Sequence, residues 1–272
     1  MVGAPELTGA SYEALIAAWH AAAALSGLAL REIPCGGGEP LFIAERTGTE
    51  SGRCVALSAG VHGDEPAAPW ALLSLVRDGL LDGGFDYRIW CCTNPSGYRM
   101  GTRENGAGLD VNRSFSRDGR SAVTPEARAV ERENRGRRFE LSLDLHEDHE
   151  AGGFYCYEPV VDGCAPLGRR VVQSLDDAGF PVEDLHDAFD LGYPAEAGHL
   201  RLLQRGRVLP DVQAEVRHFD GLPYSMYLLW TGVAHRAMTL ETPRSRSWQE
   251  RVAMHRVAVV TALDALREDR AA

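Results

Sequence analysis

Four short clusters in the 272-residue sequence carry residue types that do chemistry together. The first is His62-Gly63-Asp64-Glu65. An imidazole and a carboxylate three residues apart, at a strand-to-helix turn, project to one side, and both are zinc ligands. Taken alone, the same four residues suit an ordinary helix start, with Asp64 and Glu65 at the positive end of the dipole. The second cluster is Asp144-Leu145-His146. Residues two apart on a strand face the same side, so Asp144 and His146 can act together. His146 would complete a His, His, Glu set. Three protein ligands leave a fourth position open for water, which marks a catalytic metal site rather than a structural one. Glu147 and His149 follow in a charged run and read as exposed or supporting residues, not ligands.

The third cluster is Arg103 with Asp110-Val111-Asn112-Arg113. The planar fork of arginine matches a carboxylate, so this loop suits a carboxylate-bearing ligand. Asp110 can orient a ligand histidine by accepting its second N–H. On its own, the loop reads equally as solvated chain with capping residues. The fourth cluster is Thr239-Leu240-Glu241-Thr242-Pro243, in which one carboxylate ends an apolar run. A carboxylate projecting into a closed pocket can take a proton from an activated water. Without the other clusters, Glu241 is an ordinary strand-end residue.

In their order, the segments GVHGDEPA, NPSGYRMGTRENGAGLDVNRSF, LDLHE and TLETP resemble the zinc carboxypeptidase family that contains carboxypeptidase A. The likeness runs from Gly60 to Pro243 and is nearest to compact bacterial members, related to the succinylglutamate desuccinylases and aspartoacylases. It implies a three-layer α/β/α sandwich around a mixed, mostly parallel eight-stranded sheet. It implies one zinc ion per chain on His62, Glu65 and His146. It gives Asp110 the role of partner to His62, Arg103 that of oxyanion stabiliser, and Asn112 and Arg113 that of carboxylate grip. Glu241 becomes the general base and acid. The family also closes a mobile tyrosine over its substrate; Tyr224 is the first candidate, with Tyr227 and Tyr193 behind it. The chain is shorter than the digestive enzymes, and no residue is assigned to reading the substrate's side chain.

The reaction so implied is zinc-assisted hydrolysis of a C-terminal amide bond, in a small peptide with a free carboxylate. The first alternative is an N-acyl amino-acid deacylase of the succinylglutamate desuccinylase and aspartoacylase type. NPSGY and the Glu-Thr-Pro ending favour the peptidase branch. The second alternative is a non-catalytic carboxylate-binding protein on the same fold, disfavoured because every catalytic position is filled. A serine hydrolase is disfavoured because no GxSxG elbow occurs.

The elements that must hold these clusters alternate. Ala10 to Ser26 has helical periodicity, with Gly27 where a C-cap glycine belongs. Arg53 to Ala59 and Tyr87 to Thr93 are short apolar runs that read as buried strands, and Leu141 to Leu145 is a third. Pro66 opens a helix to about Val76, with Asp64 available as its cap. Helices are predicted from Thr124 to about Arg138, Gly163 to Ala178, Tyr224 to Gly232 and Ser247 to Leu266, with a strand at Ala237 to Leu240. Residues 180–216 read as irregular, a lid or specificity segment. Strands alternating with helices imply a mostly parallel sheet covered on both faces, with its site outside the carboxyl ends of the strands. No linker interrupts the pattern, so residues 1–272 form a single domain.

Composition agrees with a soluble enzyme. The 28 Lys and Arg stand against 39 Asp and Glu, a formal net charge of −11, which argues against a nucleic-acid partner. The six cysteines are scattered and form no CxxC pair, so they read as reduced core residues. The N-terminal segment lacks a basic region ahead of its apolar stretch, and no apolar run reaches bilayer length, so no membrane is expected and the location is cytoplasmic.

Overall fold

The protein, as a computed structural model, is described over residues 11–49, 52–81, 84–161, 163–184 and 202–269. In chain order the elements are α1 (Tyr12–Ser26), β1 (Ala29–Ile33), β2 (Leu41–Arg46), β3 (Cys54–Ala59), α2 (Ala67–Arg77), β4 (Asp86–Trp90), α3 (Pro95–Met100) and α4 (Pro125–Asn134). There follow β5 (Leu141–Asp148), β6 (Tyr155–Tyr157), α5 (Gly168–Asp177), β7 (Leu202–Gln204), β8 (Arg207–Leu209), α6 (Val212–His218), α7 (Tyr224–Trp230), β9 (Ala237–Pro243) and α8 (Trp248–Glu268). The strands join one sheet in the order β1-β2-β4-β3-β5-β9-β6-β8-β7. Its centre, β4-β3-β5-β9, is parallel. The flanks are mixed: β1 and β2 form an antiparallel edge on β4, β6 runs antiparallel to β9, and β7 is the outermost strand, paired antiparallel to β8.

The expected mixed α/β/α sandwich is therefore present, with a ninth strand in the described residues: β7, three residues long, closes the far edge. Sequence reading left out β1, β2, β6, β7 and β8. Three of these are three-residue segments, too short to show a period of two, and β1 is largely exposed, so its apolar signal is weak. Sequence reading also left out α3, inside the expected loop after β4, and α6, which with β7 and β8 gives regular structure to part of the segment expected to be irregular. The remaining elements fall where the pattern placed them, with shifted ends. The helix predicted to reach Arg138 stops at Asn134, and the one predicted from Gly163 begins at Gly168.

Alternation along the central strands sorts side chains between two cores. Val55, Leu57 and Ala59 of β3, Leu141, Leu143 and Leu145 of β5, and Met238 and Leu240 of β9 face the core built with α1, α2, α5 and α8. The opposite face, covered by α4 and α7, takes Ala56 of β3. On β5, Ser142, Asp144, His146 and Asp148 share this second face with Thr239 and Glu241 of β9. The register sets Ser58 beside Asp144, His146 beside Glu241, and Glu241 beside Tyr155. A row of polar side chains thus crosses the carboxyl ends of adjacent strands.

Among the described residues no helix is long and apolar enough to cross a membrane. The cysteines there are unpaired. Helix α8 starts on a capping box, the Ser247 side chain accepting from Glu250 N–H while Glu250 accepts from Ser247 N–H. It buries His255, whose Nε2 lies 3.1 Å from Thr242 Oγ1. Burial pushes this imidazole down to about 3, with repulsion from His146 adding. A depressed histidine pKa stabilises the fold fully above the unfolded value of about 6.5, and that stability is lost as pH falls toward 3. Between pH 7 and pH 5 this group alone should remove about 2 kcal/mol. Urea unfolding of His255→Gln should accordingly show a flatter pH slope than the unsubstituted protein; parallel slopes would refute the assignment.

Candidate active site

The first cluster forms because β3 ends in a turn only glycine permits. Gly60 adopts φ +67°, the left-handed region, and sends the chain back toward the sheet end. Gly63 lies so close to α3 that a Cβ there would come within 1.9 Å of the Gly97 carbonyl carbon. The turn sets His62 and Glu65 facing each other, both buried. The expected Asp64 cap is absent: Asp64 Oδ2 accepts from Arg244 Nη1 at 2.9 Å. Glu147 does that work instead, its Oε1 accepting the N–H of Ala67, the first residue of α2, at 2.6 Å. The same carboxyl is held by Arg251, and burial pushes it up to about 7 against that opposing charge. Glu147 is therefore buried and structural, while His149 is exposed.

His62, Glu65 and His146 converge. His62 Nδ1 lies 2.6 Å from Glu65 Oε1, and His146 Nδ1 lies 2.9 Å from Glu65 Oε2. One donor atom from each residue falls within 4.8 Å of the others, a grouping suited to a metal ion. Each imidazole turns its other nitrogen to a carboxylate: His62 Nε2 is 3.3 Å from Asp110 Oδ1, and His146 Nε2 is 2.9 Å from Asp144 Oδ2. Glu65 Oε2 is buried and makes no well-angled hydrogen bond. Two imidazoles fixed on the outside by carboxylates, each presenting Nδ1 to a shared carboxylate with an unsatisfied oxygen, fit a metal ion of the zinc type. The electrostatics agree. Burial pushes the imidazoles down, yet Glu65 with Asp110 on one side and Asp144 on the other outweighs it, so both sit above the ordinary histidine value. Burial likewise disfavours the Glu65 charge, but the two histidines hold that carboxyl far below the usual range. The cluster is built for cationic charge at its centre.

Asp144 is the less expected partner. It is buried, and its other oxygen, Oδ1, accepts from Ser58 Oγ at 2.5 Å. Strand β3 thereby fixes the carboxylate that orients a side chain of β5. Partners of this kind typically shift metal affinity by roughly 10- to 100-fold. Asp144→Asn should weaken zinc affinity by about that factor, measured by competition with a chromophoric chelator, while leaving the circular-dichroism spectrum unchanged. Unaltered affinity would remove Asp144 from the site.

The long loop after β4 brings the third cluster to the same pocket. Asn94, fully buried, caps α3 through Gly97 N–H, and its Nδ2 donates to the carbonyls of Val61 and Arg103, both at 3.2 Å. One amide thus ties the metal-facing turn to the arginine loop. Arg103 Nε and Nη2 donate to Asp110 Oδ2 at 3.1 and 3.0 Å, and Nη1 stands 3.4 Å from His62 Nδ1. Burial opposes the Asp110 charge, but His62 and Arg103 hold its carboxyl well below the usual range. Asn112 Oδ1 accepts the N–H of Tyr224 at 2.8 Å, which leaves its amide NH₂ as a donor. Arg113 donates from Nη1 to the Asn112 carbonyl at 2.9 Å and stacks over Phe219, 4.6 Å from the ring centroid.

Glu241 faces the cluster from β9. Burial pushes its carboxyl up to about 8; Glu65 and Asp148 add to the shift while His146 and His62 oppose it. His62, Glu65, Arg103, Asn112, Arg113, His146 and Glu241 line one cavity of about 320 Å³. Asp110 stands behind it as the partner of His62.

Tyr224 does not join them. Its ring is buried among Phe115 and Tyr227, and its hydroxyl lies 3.5 Å from Asn134 Nδ2; α7 presents Ser225 and Met226 to the cavity instead. The turn gives the cavity Pro223, and the Tyr224 N–H serves to hold Asn112. Tyr227 is likewise in the core, stacked on Phe115, and Tyr193 lies outside the described residues. The tyrosines that reach the cavity are Tyr155 and Tyr157 of β6. Three residues are too few to signal this in the sequence; the structure shows it, with Cys156 turned to the opposite core.

Residues 51–181 match the succinylglutamate desuccinylase/aspartoacylase catalytic domain. No curated protein matches the chain in sequence. A metallopeptidase candidate from Shewanella amazonensis superposes with a TM-score of 0.72 at 22% identity, covering 93% of this chain and 92% of its own. A metallo-carboxypeptidase from Burkholderia cenocepacia gives 0.65 at 17% identity, covering 95% and 70%. Carboxypeptidase A from Helicoverpa armigera gives 0.66 at 15% identity, covering 94% and 73%. The fold is that of the zinc carboxypeptidases. Within that class the chain is related to the succinylglutamate desuccinylase/aspartoacylase catalytic domain.

Proposed function

We propose that the protein is a zinc-dependent metallocarboxypeptidase that hydrolyses the C-terminal amide bond of small peptides. The observation that carries this reading is the convergence of His62, Glu65 and His146 opposite Glu241, in a cavity that also receives Arg103 and Arg113. His62, Glu65 and His146 would hold the zinc ion. When bound, zinc supplies Lewis acidity, lowering the pKa of water toward neutrality and polarising a carbonyl.

The residues of the chain do the rest. Glu241, whose raised pKa suits a proton acceptor, takes a proton from the attacking water on its carboxylate and returns it to the leaving amine. Arg103 aims a guanidinium at the carbonyl oxygen, where negative charge develops only in the transition state. The Arg113 fork and the free NH₂ of Asn112 bind the substrate's terminal carboxylate. Asp110 and Asp144 hold the two imidazoles in place.

The second reading, an N-acyl amino-acid deacylase, is favoured by the family match over residues 51–181. Substrate length separates the two. Zinc-loaded protein should release free C-terminal amino acids from di-, tri- and longer peptides and should leave their amidated twins uncut. N-acetyl-aspartate and N-succinyl-glutamate, run in parallel, should be poor substrates. Cleavage confined to the acylated amino acids would overturn the peptidase reading in favour of the deacylase.

A further inference from the structure

The cavity holds more carboxylates than the proposed chemistry uses. Glu65 and Glu241 have tasks. Glu147 is engaged by Ala67 N–H and Arg251, and Asp64 by Arg244. The exposed Glu150 lies 3.7 Å from His149. Asp148 has no cationic partner among the described residues. Its Oδ1 accepts the N–H of Glu150 at 2.8 Å, and its Oδ2 accepts the hydroxyl of the buried Tyr155 at 2.7 Å. These neutral donors fix the carboxylate in direction without neutralising it.

Its place in the sheet gives the carboxylate a use. Asp148 follows His146 by two residues on β5, so it faces the same side. Tyr155 stands beside Glu241 across β9 and β6 and reaches back to Asp148. Arg103 and Asp110 lie at the other end of the row, on the His62 side of the sheet. Across the strands the cavity therefore runs from the arginine loop, past His62, His146 and Glu241, to Tyr155, whose hydroxyl holds the Asp148 carboxylate projecting from β5 one pleat beyond His146. A substrate whose carboxylate is gripped by Arg113 and Asn112 and whose scissile carbonyl lies between Arg103 and Glu241 extends its acyl side toward Asp148. Two extended residues span at most about 7 Å, and a cavity of about 320 Å³ is at the small end for ligand sites. The group that arrives is then the amine of a very short peptide.

We propose that Asp148, held in direction by Tyr155, binds the cationic amine on the acyl side of the substrate, so that the pocket selects short peptides with a free amino terminus over N-acylated ones. This rests on the reading of amide hydrolysis above and narrows its substrate class.

The test compares one dipeptide with its N-acetylated form as substrates of the zinc-loaded protein. The ratio of the two kcat/KM values should favour the free amine by about 10- to 100-fold, the range of a charge-assisted contact, and the difference should lie in KM. A free amine can also bind zinc directly, so the decisive measurement is the ratio in Asp148→Asn, which should fall toward one. Tyr155→Phe, which releases the carboxylate without removing it, should move the ratio part of the way. A ratio near one in the unsubstituted protein overturns the amine proposal and leaves peptide hydrolysis standing. A ratio unchanged in Asp148→Asn overturns the assignment to Asp148. If neither peptide is cut, the hydrolytic reading fails, and calorimetric binding of the same two peptides decides this one. Tighter binding of the free-amine form that depends on Asp148 supports it; equal binding overturns it.

Discussion

Glu241→Gln should keep its zinc and its fold and lose most of its turnover. The substitution preserves size and hydrogen-bonding shape but removes the proton acceptor. General base work is typically worth roughly 10²- to 10⁴-fold, and in the proposed mechanism the same carboxylate also delivers the proton to the leaving amine, so the loss should lie toward the upper end. The structure sharpens the expectation. Glu241 is on β9, and the His62, Glu65 and His146 donors come from the β3 turn and from β5, so the metal count should not depend on it. The control runs the other way: His146→Ala removes a donor from the cluster and should lose the zinc along with the activity. Metal analysis and single-turnover kinetics on the two variants separate the roles. Near-normal turnover in Glu241→Gln would remove it as the base; full zinc in His146→Ala would remove that residue from the metal site.

The pH profile should carry the same signature. An ordinary glutamate would be ionised throughout the neutral range, whereas burial raises this one toward 8. A base must be deprotonated to act, so activity should rise with pH along the Glu241 limb, and that limb should vanish in the glutamine variant. A bound cation would oppose burial and move the limb to lower pH, so the zinc-loaded protein is the one to titrate.

Much of this site was legible in the sequence because its parts sit at the ends of long, strongly apolar strands. Leu141 to Leu145 could only be a buried strand, and a period of two then placed Asp144 and His146 together. The glycines of Gly60-Val61-His62-Gly63 marked a tight turn, and the structure shows why: one supplies a positive φ and the other a close backbone approach to Gly97. What escaped was of two kinds. Strands β6, β7 and β8 were too short and β1 too exposed to show periodicity, and with β6 went Tyr155 and Tyr157. The roles of Asn94, Glu147 and Ser58 depend on hydrogen bonds between elements remote in sequence, to Val61, Ala67 and Asp144 respectively, and no local spacing encodes those. Tyr224 was misplaced for a related reason. A tyrosine at a helix start can face either way, and here packing against Phe115 sends its ring inward.

Arg103→Ala and Arg113→Ala should damage the enzyme in different ways. Both arginines line the cavity, but their surroundings differ. Arg103 is tied to Asp110 by two contacts and stands 3.4 Å from a donor nitrogen of the metal cluster, so its charge lies beside the reacting carbonyl. An interaction that strengthens only as the oxyanion forms lowers kcat when removed, and one lost oxyanion donor typically costs about 10²- to 10³-fold. Arg113 is anchored on Phe219 and on the Asn112 carbonyl, and in the proposed mechanism it holds a carboxylate that is the same before and during reaction. Its loss should raise KM with kcat little changed, by the roughly 1.5–3 kcal/mol of a charge-assisted contact. Arg103→Ala also frees Asp110 from its cation, so some loss of zinc affinity should accompany the fall in kcat and be absent in Arg113→Ala. Steady-state kinetics at saturating zinc isolate the catalytic part. If Arg103→Ala changed only KM, or Arg113→Ala only kcat, the two roles would have to be exchanged.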